Sequence, residues 1–373
     1  MGLLDYYRQF EDVDERDLNV LRRARRQREK RLALEKVPDL DLSGTEWPEF
    51  PNSEVVNASI YTARGRVNGY PDRYARRIRR ALAEGHEIEP ERIVLGNGIA
   101  ELLQAAAFSL LSENDELVMP WPSYPLYPLM ATRAGARPVP VDTGPAGAEL
   151  ERVHDALTPR TKAVVVCNPN DPTGTYVPAD AIRALLDELP ETVTLLLDEA
   201  LIHFQDVEAE DACLNLTADD PRLVVFRTFS KVYGLSGLRA GYAVTTSSEL
   251  MDAVAPVLGV NALTQAAIDQ ALKIGRPEVE RRKQAVMRER RRILHSLKRL
   301  PVDATDSQAN FVWLRAHELN GLQLANRLGE QGVIVAPGGP LGADDHIRAQ
   351  LLNEATTDRL LQALERALEQ PDS

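Results

Sequence analysis

From about residue 90 the chain alternates short apolar runs with helix-length amphipathic stretches. Arg92-Ile93-Val94-Leu95-Gly96 predicts a short strand, and the apolar periodicity of Glu101–Leu111 predicts a helix after the turn Asn97-Gly98-Ile99-Ala100. Glu116-Leu117-Val118-Met119 predicts another strand, ended by the proline-rich stretch Pro120–Pro128. Ala163–Cys167, Thr192–Leu197 and Leu223–Phe226 are continuous apolar runs, the pattern of strands covered on both faces. After residue 247 the pattern changes to long charged helices such as Glu278–Leu300, then to two more strands, Asn310–Leu314 and Gly332–Val335.

Strands separated by helix-length segments predict an α/β fold: a three-layer domain around a mostly parallel sheet, followed by a smaller α+β C-terminal domain. The expected division is an N-terminal basic arm and connector over 1–45, a large domain over 46–246 and a small domain over 247–373. Pro38, Pro48 and Pro51 mark the connector as extended. In sheets of this kind ligands lie beyond the carboxyl ends of the strands, so the segments just after each strand carry the chemical interest.

Composition narrows the function. Charged residues at 27% and hydrophobic residues at 44% are ordinary for a folded globular chain. A formal net charge of −12 argues against a nucleic-acid surface, although Arg22–Lys36 is densely basic; a solvated helix or arm is the reading of that run. No apolar run reaches about eighteen residues and no charged-then-apolar leader opens the chain, so a cytoplasmic protein with no membrane contact is expected. Cys167 and Cys213 are the only cysteines, both in or near apolar segments, and are read as buried thiols. No His/Cys grouping has the spacing of a metal site, so no metal is expected.

Three post-strand segments carry candidate chemistry. Thr228-Phe229-Ser230-Lys231, with Gly234, Gly237 and Arg239 following, sets one lysine among small hydroxyls and glycines. A lysine desolvated beside other cations loses proton affinity and becomes a nucleophile able to form a Schiff base. Thr228, Ser230 and Arg239 are candidates to hold a phosphate. An exposed turn lysine is the plain alternative. Asp198-Glu199 closes an apolar strand, where a carboxylate is costly unless paired; a helix-capping role is its alternative. Gly96-Asn97-Gly98-Ile99-Ala100-Glu101 joins a strand to a helix whose free amides can bind an anion.

Taken together, these strings closely resemble the class I and II aminotransferases of fold type I, which use pyridoxal 5′-phosphate (PLP), with the histidinol-phosphate aminotransferase branch nearest. The resemblance spans roughly residues 45–365 and implies a PLP-transferase large domain. It implies Lys231 as the Schiff-base lysine, Asp198 as the partner of the pyridine nitrogen and Arg239 as a phosphate ligand. The backbone of Gly98, Ile99 and Ala100 would hold the same phosphate, and Tyr124 would stack on the ring. Tyr70, in Asn68-Gly69-Tyr70-Pro71-Asp72, would reach the cofactor of a second subunit, implying a homodimer. Asn310 and Arg348 would hold the substrate α-carboxylate. The implied reaction moves an amino group between an amino acid and a 2-oxo acid, with Lys231 shuttling the α-proton.

Three residues depart from the family pattern. Asp171 stands before Pro172-Thr173-Gly174 where the family has asparagine, and Leu201 stands where the branch commonly has tyrosine. Both family residues donate to the cofactor's phenolic oxygen, which an ionised aspartate and a leucine do not; Asn170 or a protonated Asp171 are the remaining candidates. Ala336 follows Gly332–Val335 where histidinol-phosphate enzymes have an arginine for the substrate phosphate. Losing such a contact costs about 2 kcal/mol or more, so an apolar, aromatic or small amino acid is expected in place of histidinol phosphate. A decarboxylase or lyase on the same scaffold is the enzymatic alternative, and a degenerate PLP-binding regulator the alternative from another class.

Overall fold

The computed structural model describes residues 38–142, 144 and 149–369; the basic run Arg22–Lys36 lies outside them. In chain order the strands of the first half are β1 (Leu40–Asp41), β2 (Ile93–Gly96), β3 (Glu116–Trp121), β4 (Arg137–Asp142), β5 (Thr161–Cys167), β6 (Thr194–Asp198), β7 (Leu223–Thr228) and β8 (Gly241–Val244). The second half supplies β9 (Val302–Ala304), β10 (Phe311–Ala316), β11 (Val333–Ile334), β12 (Ala336–Pro337) and β13 (His346–Gln350).

The large sheet has the spatial order β2-β8-β7-β6-β5-β3-β4. Its strands from β7 to β4 are parallel, and β8 runs antiparallel to both β7 and β2. The apolar runs divide their side chains between two layers by strand alternation. Ala163, Val165, Leu196, Val224 and Phe226 face the helices bearing Leu102, Leu103 and Met130. Val164, Val166, Leu195, Leu197 and Val225 face Ile182, Leu185 and Leu186 on the other side. The expected three-layer architecture follows from this alternation.

The apolar pattern misses β4, whose sequence carries Pro138 and Pro140. It is the last strand of the sheet and pairs only with β3, so its free edge tolerates residues without an amide hydrogen.

The small domain is an antiparallel sheet in the order β12-β13-β10-β9, covered by the helices Arg276–Leu297, Gly321–Gly329 and Glu354–Glu369. The connector belongs to it. Strand β1 pairs in parallel with β11, and Leu42 and Trp47 are buried in the small-domain core. Beyond the expected boundary at 246/247, two helices pack on the large sheet. The helix Ser248–Val254 buries Leu250 and Val254 against the large sheet. The helix Ala262–Ile274 buries Ala267, Ile268 and Ala271 with β2 and β8. The change of domain falls near Gly275, before Arg276–Leu297. Among the described residues no helix is long and apolar enough to cross a membrane. Cys167 and Cys213 are buried free thiols.

An ionic cluster lies inside the large domain behind the carboxyl ends of β6 and β7. Arg227, fully buried on β7, donates to Glu199 at 2.8 Å, pairs with Asp211 and donates to the Glu210 carbonyl at 2.7 Å. His86 joins through Asp211 at 2.9 Å and the Tyr242 hydroxyl at 2.8 Å. Burial pushes the Glu199 carboxyl up to about 7 despite Arg227 beside it. Removing the cation alone leaves Glu199 buried with no counter-charge and Asp211 with only His86, a change that costs roughly 3 kcal/mol or more. Arg227→Leu is therefore expected to lower the unfolding free energy measured in urea by that amount, and adding Glu199→Gln to recover part of it. A single variant within about 1 kcal/mol of the parent would show that the cluster does not hold the strand ends.

Candidate active site

Strands β5, β6 and β7 end side by side, with Cys167 opposite Asp198 and Asp198 opposite Phe226 in the ladder. The segments beyond them bring Asp171, Asp198 and Lys231 to one edge. Asp198 is 2% exposed; it accepts the Tyr127 hydroxyl at 2.8 Å and the Ala200 amide at 3.0 Å. Burial pushes its carboxyl up to about 6, against those two hydrogen bonds and the charge of Lys231.

Lys231, half-buried after β7, donates its ammonium to the hydroxyl of Thr45 in the connector. Loss of water holds it below the ordinary lysine value, outweighing the pull of Asp171 and Glu46, and Arg348 acts in the same direction. Tyr124 stands 39% exposed at the mouth, its ring edge-on to Tyr127 at 5.8 Å. Burial and the charges of Asp198 and Asp171 raise its phenol.

Beside Lys231 an anion cradle is built from three directions. The helix Ile99–Leu110 begins at Gly98 with no side-chain cap, leaving its first amides unclaimed. Gly98 has φ +88°, and a Cβ there would run into the Arg239 guanidinium. At Gly241 a Cβ would stand 2.9 Å from the Ile99 amide nitrogen, so this glycine lets β8 meet the helix start. Arg239 is exposed and anchored by donation to the Ser236 carbonyl at 2.8 Å. The Ser230 hydroxyl has no partner among the described residues, whereas Thr228 is committed: it donates to Ala240 O at 3.2 Å and accepts from Ser230 N at 3.0 Å.

Arg348 enters from the small domain. It lies on β13 opposite Ala336 and Trp313 and pairs with Asp171 across the domain boundary. Asn310, fully buried, donates to the Thr45 carbonyl at 2.9 Å. Arg348 and Gln350 donate to the carbonyls of Ser43 and Glu46 at 2.8 and 2.6 Å. Residues 43–46 thus lie between the small sheet and Lys231.

Several sequence-based expectations change. Asn170 is not free to donate elsewhere: its amide donates to Pro122 O at 3.0 Å and Thr173 Oγ1 at 2.8 Å and accepts from Ser123 at 2.7 Å. Leu201 packs into the small-domain core with Trp47, Phe204 and Val232. Tyr70 is 89% exposed, so its expected role in a second subunit's site is untouched by contacts within the chain. Thr45 has no place in the sequence reading, and Tyr127 reads there as core packing although its hydroxyl reaches Asp198. Thr45 carries no local signal, but Tyr127 does: a tyrosine on a buried apolar helix needs a partner for its hydroxyl.

A half-buried lysine and a buried carboxylate beside an anion cradle, at the carboxyl edge of a doubly covered sheet, define an α/β enzyme built to hold an anionic cofactor. The family model "Aminotransferase class I and II" matches residues 39–364. An aromatic amino acid aminotransferase of Corynebacterium efficiens is 37% identical over 330 residues, covering 87% of this chain and 92% of that protein. Histidinol-phosphate aminotransferase 1 of Nitrosococcus oceani is 33% identical over 331 residues, covering 88% and 89%. Among solved structures, the histidinol-phosphate aminotransferase of Sinorhizobium meliloti in complex with pyridoxal-5′-phosphate superposes with a TM-score of 0.78 at 25% identity, covering 90% of this chain and 92% of that one. The chain belongs to the class I and II aminotransferases. It is an aminotransferase, of a PLP-dependent family, that moves an amino group between an amino acid and a 2-oxo acid. The lyase and regulator alternatives are not favoured by these relatives.

The residues present fit PLP. The cradle at Gly98 and Arg239 suits a phosphate, and Asp198, buried without a cation bonded to it, suits a protonated ring nitrogen. Without that partner Asp198 is a liability. Its folded value lies above its unfolded one, so the native state holds the extra proton and stability falls as pH rises from about 4 to about 6. The loss amounts to about 3 kcal/mol. In PLP-free protein, Asp198→Asn is expected to remove that part of the slope, read as the difference in urea midpoint from the parent across pH 4 to 7. Parallel curves would exclude it.

Proposed function

We propose that Lys231 is the cofactor-bonding lysine and proton shuttle of a PLP-dependent aminotransferase, with an aromatic or other apolar amino acid as donor. The observation that carries it is the setting of Lys231: half-buried, held below the ordinary lysine value, and on the same strand edge as Asp198. When bound, PLP supplies the electron sink for the electrons left at the substrate α-carbon.

The chain's own residues do the rest. Asp198, braced by Tyr127, keeps a positive charge on the ring nitrogen favourable. Arg239, Ser230 and the amides of Ile99 and Ala100 hold the phosphate, and the Tyr124 ring covers one face of the site. Arg348 and Asn310 orient the donor's carboxylate. The freed Lys231 amine, with Thr45 at hand as hydrogen-bond partner, takes the proton from the α-carbon and returns it as general acid. Ala336, opposite Arg348 in the ladder, offers no charge to a substrate phosphate. This favours the donor class named for the Corynebacterium relative over histidinol phosphate.

A homodimer is part of the proposal. Tyr61, Tyr70 and Phe50, each more than four-fifths exposed, lie in and beside the helix Ser53–Arg66 and suit burial against a second copy, with Tyr70 completing the partner's phosphate site. We place the enzyme in the cytoplasm, where the two buried thiols stay reduced.

Single amino acids added to the PLP-loaded protein test the reading. Phenylalanine or tyrosine is expected to convert the visible absorbance to that of pyridoxamine phosphate, with histidinol phosphate without effect; a response to histidinol phosphate alone overturns the donor assignment. Lys231→Ala is expected to retain PLP without turnover, and appreciable transamination by it refutes the lysine assignment.

A further inference from the structure

Arg348 reaches the substrate seat already paired. One terminal nitrogen of its guanidinium donates to Asp171, and the other donates to the Ser43 carbonyl at 2.8 Å. Of its three nitrogens Nε alone has no partner, and it is buried. The guanidinium lies 5.4 Å from the centre of the Phe311 ring, and the side chains of Arg348 and Asp171 are 10% and 9% exposed. The family's asparagine at this position would leave the arginine's charge whole. Here a carboxylate from the loop after β5 cancels it, and Ala336, its ladder neighbour on β12, adds no second cation. An incoming α-carboxylate must displace Asp171 or crowd beside it in a site shielded from water, where like charges repel strongly.

We propose that Asp171 is a specificity-determining residue, an internal carboxylate that competes with the substrate's own for Arg348; this rests on the reading of Arg348 as the carboxylate seat. The pair leaves Arg348 Nε buried without a partner, and the second oxygen of Asp171 takes no hydrogen bond among the described residues. A carboxylate can only accept, whereas a carboxamide does both. The seat therefore holds a free α-carboxylate more weakly than an unpaired arginine would, and discriminates less against amino-acid amides.

The probes are 3-phenylpropanoate and 3-phenylpropanamide, which lack an amino group and cannot react, titrated calorimetrically into PLP-loaded protein. In the parent the amide is expected to bind at least as tightly as the acid. Asp171→Asn is expected to tighten the acid about tenfold or more while moving the amide less than about threefold. Asp171→Ser gives the same contrast should the asparagine variant fail to melt cooperatively. An acid affinity unchanged by either variant, with Arg348→Gln still weakening it, overturns the competition and leaves the seat standing. Arg348→Gln without effect on the acid in the Asp171→Asn background overturns the seat itself, and the proposal with it.

Discussion

Three parallel strands end within one small region, and what they place there is charge kept from water. Asp198 ends β6 while Asp171 and Lys231 follow β5 and β7, and both carboxylates are nearly inaccessible. Such charges persist in a low-dielectric interior only when each has a partner. The partners come from far along the chain: Tyr127 for Asp198, Thr45 for Lys231 and Arg348 for Asp171. The cluster around Arg227 and Glu199 lies behind this edge and ties β6 to β7 where the active-site loops leave them.

The same requirement shapes the seam between the domains. The turn at Thr173-Gly174 takes a hydrogen bond to each of its carbonyls from the small domain, from Thr305 at 2.5 Å and from the Gln308 amide at 2.6 Å. Gly174 has φ +75°, and a Cβ would collide with Ser307, so only glycine lets the two backbones approach. The Arg348–Asp171 pair crosses the same seam. Residues 43–46 close it from the other side, their carbonyls claimed by Arg348, Asn310 and Gln350. A substrate bound at Arg348 would therefore touch the joint that holds the domains in register.

Much of the fold was legible because the strands of a doubly covered sheet are apolar along their whole length, as in Val164-Val165-Val166 and Leu195-Leu196-Leu197. The post-strand rule then led to Asp198 and Lys231 without any measured distance. What stayed hidden were the pairings. Arg348 and Asp171 are separated by 177 positions and Lys231 and Thr45 by 186, and no local pattern encodes a contact across such spans. Strand β4 was hidden for another reason: its prolines read as loop until its place on the sheet edge is known. The packing of Ser248–Val254 and Ala262–Ile274 was also hidden: both follow the expected boundary at 246/247 yet bury their apolar faces with residues of the large sheet.

The three departures from the family pattern are not scattered in space. Ala336 is the ladder partner of Arg348, and Asp171 is its ion-pair partner. Leu201 sits in the small-domain core with Val232, the residue next to Lys231. Leucine there exchanges a hydroxyl near the cofactor for apolar contact across the seam, and it needs no polar partner in return. Ala336 removes a positive charge beside Arg348, and Asp171 adds a negative one on it. Both changes have the same sign: they make the seat less cationic. With Arg348 as the carboxylate seat proposed above, both residues suit a substrate with less negative charge than histidinol phosphate.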